Sequence, residues 1–179
     1  ILVSRFGYYS NQHQHLHAAH RHSFYHLVFF TKGQGKQQID FKKFDVKPGL
    51  IYFMIPGQVH NWDFDTEPDG YIINFSANYF SSFLLKPDYL ENFIFFSGNP
   101  DHQVIELSLE IQQIATSIFE DILKDAQNEP PINDDLVKTL LIRLFIEIAR
   151  NKNEKQVLNS SSYNHTILKN FKNLIESNY

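Results

Sequence analysis

His20-Arg21-His22-Ser23-Phe24-Tyr25-His26-Leu27-Val28-Phe29-Phe30-Thr31-Lys32-Gly33-Gln34-Gly35 carries an imidazole-bearing segment into an aromatic and β-branched run and ends it on paired glycines. Residues 24–31 have the composition of a strand, and the glycine pair predicts a turn that closes a hairpin with residues 37–41. Working outward, Phe44-Asp45-Val46 runs into Pro48-Gly49, and residues 50–55 form a continuous apolar strand stopped by Pro56-Gly57. Further strands are expected at 59–64, opening on Val59-His60, and at 71–76. Many short strands separated by Gly and Pro at near-regular spacing describe a β-sandwich or barrel.

The second half changes period. From Ile105 to Ala126, the residues Leu107, Ile111, Ile114, Ile118 and Ile122 recur at helical spacing among polar residues. Pro130-Pro131 ends that helix, and Asn133-Asp134-Asp135 supply the cap and first-turn acids of a second. The second helix carries a broad apolar set, and Leu140, Leu141, Leu144 and Ile148 are assigned to a homodimer contact. Residues 152–163 read as a polar, serine-rich linker, and residues 164–179 as one more amphipathic helix. The expected organisation is therefore a barrel over 1–104, a helical dimerisation segment over 105–151, the linker, and the terminal helix.

Composition narrows the function classes. With 42% hydrophobic and 20% charged residues, the 179-residue chain has the makeup of a folded domain. Seventeen Phe, nine Tyr and one Trp suit a β core lined by flat side chains. A net charge of −4 offers no general attraction to nucleic acid. The absence of cysteine excludes disulfides, thiolate metal sites and thiol catalysis, and agrees with a reducing cytoplasm. No run approaches the roughly twenty apolar residues of a membrane helix, so no membrane partner is expected. The opening Ile1-Leu2-Val3 lacks a methionine, so the chain reads as a fragment.

The histidines carry the chemistry. His20, His22 and His26 share strand parity with Phe24, Val28, Phe30 and Lys32, so in one unbroken strand all would leave from the same face. If that face lines the barrel, three imidazoles and an ammonium point into one cavity, where His60 arrives from another strand. Such a cavity suits a small organic molecule and needs no cofactor. An alternative is a metal site built from His20, His22, His26 and His60, since neutral imidazole binds Zn, Fe, Ni or Cu. His13, His15 and His17 alternate in a polar stretch and read as a solvated arm.

The spacing of His20-Arg21-His22 with Gly33-Gln34-Gly35, and of Pro56-Gly57-Gln58-Val59-His60, resembles the two-part signature of the cupin fold. With Lys47-Pro48-Gly49 and Asn61-Trp62 added, residues 18–80 resemble the effector-binding domain of AraC-family transcription regulators. The helices at 105–150 are similar to that family's dimerisation helices, and Ile167-Leu168-Lys169-Asn170-Phe171 to the start of its helix-turn-helix domain. The fold implied is a mainly β, cupin-like jelly-roll barrel followed by two helices and the first helix of a truncated DNA-binding domain. His26 stands where metal-dependent cupins carry a glutamate, which favours a non-catalytic pocket. The resemblance implies a ligand site of His22, His26, Lys32, His60 and Trp62, with a sugar or small organic acid stacked on Trp62 and covered by an arm containing Tyr8 and Tyr9. It implies a small-molecule effector, a homodimer, and DNA contact only through the helix-turn-helix domain. The rival class is a metal-dependent cupin enzyme, such as a dioxygenase or sugar isomerase. A ligand-storing or lectin-like cupin without a DNA role is a third.

Overall fold

Strands that are apolar at every position need cover on both faces, while strands that alternate need it on one. The chain contains both kinds, and a computed structural model shows how they are arranged; it describes residues 1–13, 18–84, 86, 88–126 and 132–153. In order the elements are β1 (Leu2–Arg5), α1 (Phe6–Gln12), β2 (His20–Arg21), β3 (Tyr25–Lys32), β4 (Gly35–Ile39), β5 (Lys42–Val46), β6 (Leu50–Met54), β7 (Val59–Phe64) and β8 (Asp69–Phe75). Two short 3-10 turns follow, then α2 (Pro100–Gln103), β9 (Val104–Glu106), α3 (Leu109–Asp125) and α4 (Ile132–Asn153). The strands form two antiparallel sheets, one in the order β1-β8-β3-β6-β9 and the other β2-β7-β4-β5. This is the cupin-like, mainly β architecture with C-terminal helices that the sequence predicts.

The first sheet is buried on both sides. Leu27, Phe29, Ile51, Phe53, Tyr71 and Ile73 pack against Ile111, Ala115, Ile118 and Phe119 of α3 and Leu141, Leu144 and Phe145 of α4. The alternate residues Val28, Phe30, Tyr52, Met54 and Ile72 turn inward to meet Ile39, Val46 and Trp62 of the second sheet. The second sheet faces its partner on one side only, so Gly35, Gln37 and Ile39 are buried while Lys36 is exposed. The Phe-rich connection after β8 adds Phe80, Phe93, Phe95 and Phe96 to the helix-side core. Gly70 approaches the Phe29 carbonyl so closely, at φ +148, that any Cβ there would collide with it.

Four expectations are corrected. Residues 20–32 are not one strand: β2 belongs to the second sheet and β3 to the first, so the chain changes sheets between His22 and Tyr25. The helical segment starts at Leu109, because Val104–Glu106 pairs with β6 as an edge strand. Residues 2–5, given no element by their sequence, pair with β8. Leu141, Leu144 and Ile148 are 0–1% exposed in the core shared with the sheet, and Leu140 is only partly exposed beside it. The width of the α4 stripe is therefore consumed within the chain, by the sheet on one side and α3 on the other. The linker at 152–163 and the terminal helix at 164–179 lie outside the residues whose side chains are described, as do His15 and His17.

Polar ties fix α4 to the segment after β8 and α3 to the first sheet. Lys138 is buried over the rings of Tyr79 and Phe83 and pairs with Asp134 at 2.6 Å. The Tyr79 hydroxyl donates to the same Asp134 carboxylate at 2.7 Å. Burial and that carboxylate push the Tyr79 phenol up, while hydrogen bonds from Lys138 and Tyr79 hold Asp134 below the usual carboxylate range. Arg5 of β1 lies over the Tyr71 ring and pairs with Glu120 of α3 at 2.8 Å.

Candidate functional site

Sheet pairing assembles the histidines from three strands and a crossover. His20 of β2 is the register partner of His60 in β7, and His60 is in turn opposite Ile39 of β4. Gln58, just before β7, donates to Asp40 at 2.8 Å and shares buried amide hydrogen bonds with Gln103. These bonds hold the turn from which His60 enters the interior. His26 projects inward from the central strand β3, between Met54 and Asn74 in register. His22 sits on the crossover, stacked on Phe24 at 4.4 Å.

Four of the five sequence-predicted ligand residues meet. The ring centroids of His22 lie 5.3 Å from His26 and 5.1 Å from His60, and His26 lies 5.0 Å from His60. Trp62 closes one side, 5.0 Å from His60 and edge-on to it. His20 joins the group, 4.2 Å from His60, with its Nε2 3.1 Å from the Nε2 of His22.

Lys32 does not join. Between Phe30 and Lys32 the pairing of β3 with β8 slips by one residue, a β-bulge that reverses the facing of every later side chain. Its side chain is 65% exposed, 3.6 Å from Glu67. The interior ammonium expected from parity is thus absent from the cluster, because parity counts residues and a bulge adds one.

Hydrogen bonds distinguish the imidazoles. His26 is buried and fully satisfied: its Nδ1–H donates to Asn74 Oδ1 at 2.7 Å, and its Nε2 accepts from the Tyr52 hydroxyl at 2.9 Å. The Trp62 indole donates to the Tyr52 oxygen at 3.0 Å, so a one-way chain runs from Trp62 through Tyr52 and His26 to Asn74. The Asn74 side chain also hydrogen-bonds Tyr9 of α1. His60, in contrast, is 1% exposed, and its Nε2 has no hydrogen-bond partner.

Burial dominates the electrostatics. Desolvation, with repulsion from neighbouring rings second, lowers His22 to about 4 and His26 to about 3, and depresses His60 further. All three are uncharged at neutral pH. Desolvation likewise raises the Tyr52 phenol well above its ordinary value.

Besides Tyr52, sequence reasoning missed three contributors. Phe6 of α1 is fully buried against Phe30, Trp62 and Phe64, edge-on to each at 5.2–5.8 Å. Tyr9 beside it is buried while Tyr8 is 64% exposed, so the arm enters the interior through Phe6 and Tyr9 rather than through both tyrosines. Gln37, opposite Trp62 in register, is buried with neither amide atom hydrogen-bonded. Asn74 is the third, and its signal was legible: an amide in the middle of the apolar run Tyr71-Ile72-Ile73-Asn74-Phe75.

An open groove of about 650 Å³ lies on the other face of the first sheet, between Phe29, Thr31 and Tyr71 and the α3 residues Leu109, Gln112 and Thr116. It is lined by hydroxyl and amide side chains but by no imidazole or carboxylate; the imidazoles gather on the inner face.

Comparison with known proteins gives two findings. The sequence profile of a family described as the AraC-like ligand binding domain matches residues 2–145. Among solved structures, the chain is similar to the crystal structure of the AraC-like transcriptional activator CuxR, with a TM-score of 0.46 and 12% identity. That similarity covers 79% of this chain and 45% of the activator, so the chain spans less than half of that protein's length. No curated protein sequence matches the chain.

Proposed function

The chain belongs to the AraC-like ligand-binding domain family, and from that membership we propose that it senses a small polar effector within the two sheets and passes the signal to a DNA-binding domain. One observation supports this above the others. Three interior polar atoms, Gln37 Nε2, Gln37 Oε1 and His60 Nε2, are buried without partners beside the aromatic wall of Trp62. Each such group costs about 1–3 kcal/mol, a cost that a ligand with hydroxyl or carboxylate groups would offset. A sugar or small organic acid matches this site: its ring lies against Trp62, and its polar groups meet Gln37, His22 and His60.

The same interior suggests how the signal leaves. Phe6 and Tyr9 fill the space beside Trp62, so an effector has to displace or repack α1. Binding then shifts the balance between an arm seated inside and an arm released, by the difference in effector affinity for the two. In this reading the released arm changes the posture of a homodimer and of helix-turn-helix units downstream. The domain acts in the cytoplasm and performs no catalysis. The dimer contact falls to the outer face of α4, where Leu136 and Ile146 are exposed.

A thermal-shift screen of sugars and small acids on the 179-residue chain tests the proposal. An effector at a hundred times its dissociation constant is expected to add about 2.7 kcal/mol. Gln37→Met removes an unpartnered buried amide, so it should leave stability equal or higher while abolishing the shift. A shift that persists in Gln37→Met, or a complete set of sugars and acids without any shift, would overturn the reading.

A further inference from the structure

Resting on the reading of the interior as an effector site, we infer that it takes an uncharged ligand and rejects acids and amines alike, with Gln37 setting the choice. Gln37 lies on β4 opposite Trp62, and its buried amide leaves both the Nε2 donor and the Oε1 acceptor unpartnered. Paired hydroxyls or a carboxamide can accept from the first and donate to the second. A carboxylate only accepts, so it would turn its own lone pairs on Oε1. An ammonium only donates, so it would leave the Nε2 hydrogens unmet. The unpartnered His60 Nε2 offers a third contact to a hydroxyl or amide.

The rest of the inner face supplies no counter-charge. Around Gln37 its buried polar groups are His26, Tyr52, His60, Trp62 and Asn74, set among Val28, Phe30, Met54 and Ile72. Burial keeps His26, Tyr52 and His60 in their neutral forms. Lysines of the bordering strands are engaged elsewhere: the bulge turns Lys32 out towards Glu67, Lys36 pairs with Asp45, and Lys42 with Asp101. Among the described residues no Asp or Glu is buried, and the one buried cation, Lys138, belongs to α4 and is paired with Asp134. An ion entering between the sheets would therefore lose its hydration without gaining a partner of opposite sign, which strongly disfavours its burial. An uncharged ligand meets no such barrier.

Calorimetric titration with matched ligand sets at pH 7.5 tests this: each sugar beside its uronate and its amino sugar, and each small acid beside its carboxamide. The neutral member is expected to bind at least about a hundredfold more tightly than either charged counterpart. In Gln37→Glu, of nearly the same shape, a carboxylate replaces the amide donor, so the neutral ligand should weaken and the amine gain. Circular dichroism checks that this variant folds; if it does not, the preference of the parent chain decides alone. A carboxylate or amine that binds the parent as tightly as its neutral counterpart overturns the inference and leaves the effector reading standing. A folded Gln37→Glu with the parent's order of preference overturns the role of Gln37. Sets in which no member binds would sink both the inference and the effector reading.

Discussion

Tyr52 shows how one side chain can hold a site together. It is fully buried in a strand whose every residue is apolar in outline, yet its hydroxyl joins the Trp62 indole to His26. Tyr52→Phe would leave the buried His26 Nε2 without its donor and take from the Trp62 N–H its acceptor at 3.0 Å. The expected loss is about 2–4 kcal/mol, read from the urea midpoint at unchanged slope. A variant within about 0.5 kcal/mol of the parent would show that water replaces the hydroxyl without cost. None of this is visible in Leu50-Ile51-Tyr52-Phe53-Met54, which reads as core. The destination of a phenol is set by the strand opposite it, and that strand is chosen by long-range pairing.

Among the elements, α1 departs furthest from its sequence. The sequence predicts an arm containing Tyr8 and Tyr9 over the pocket, and the arm folds into a helix that buries Phe6, Tyr9 and Ser10 on one face. Helical spacing explains the choice: Phe6, Tyr9 and Ser10 stand three and four residues apart, while Tyr8 points the other way. Phe6→Ala should loosen this helix from the interior. Trp62 is the only tryptophan and is 2% exposed, so its emission reports directly on that loosening. A red shift with faster acrylamide quenching is expected, together with a stability loss of about 3 kcal/mol. Unchanged emission and quenching would mean that the arm does not guard the interior. The β-bulge after Phe30 is the other departure, and it alone removes Lys32 from the site.

For the whole molecule, α4 raises the question of which apolar residues serve folding and which serve association. Leu144 is fully buried among residues of the first sheet and α3. Leu144→Ala should cost about 2–5 kcal/mol in thermal unfolding, as a core truncation does. The double change Leu136→Glu, Ile146→Glu alters exposed positions and should leave stability within about 1 kcal/mol while abolishing the proposed dimer in sedimentation. A dimer that survives it would move the interface elsewhere. Much of the architecture was legible beforehand. Strand runs, glycine and proline turns, and the helical stripes on both sides of Pro130-Pro131 depend on neighbours a few residues apart, and the chain displays those directly. The gathering of His20, His22, His26, His60 and Trp62 was expected from a period of two along one strand, but the chain changes sheets between His22 and Tyr25, and the pairing of β2 with β7 is what brings His20 beside His60. Tertiary structure alone decided that the helical leucines face inward, that Lys32 faces out, and that Gln37, Tyr52 and Phe6 complete the interior. Each of those outcomes turns on register, a bulge or the seating of one element on another. These are long-range relations between segments, fixed only when the two sheets and the helices close on one another.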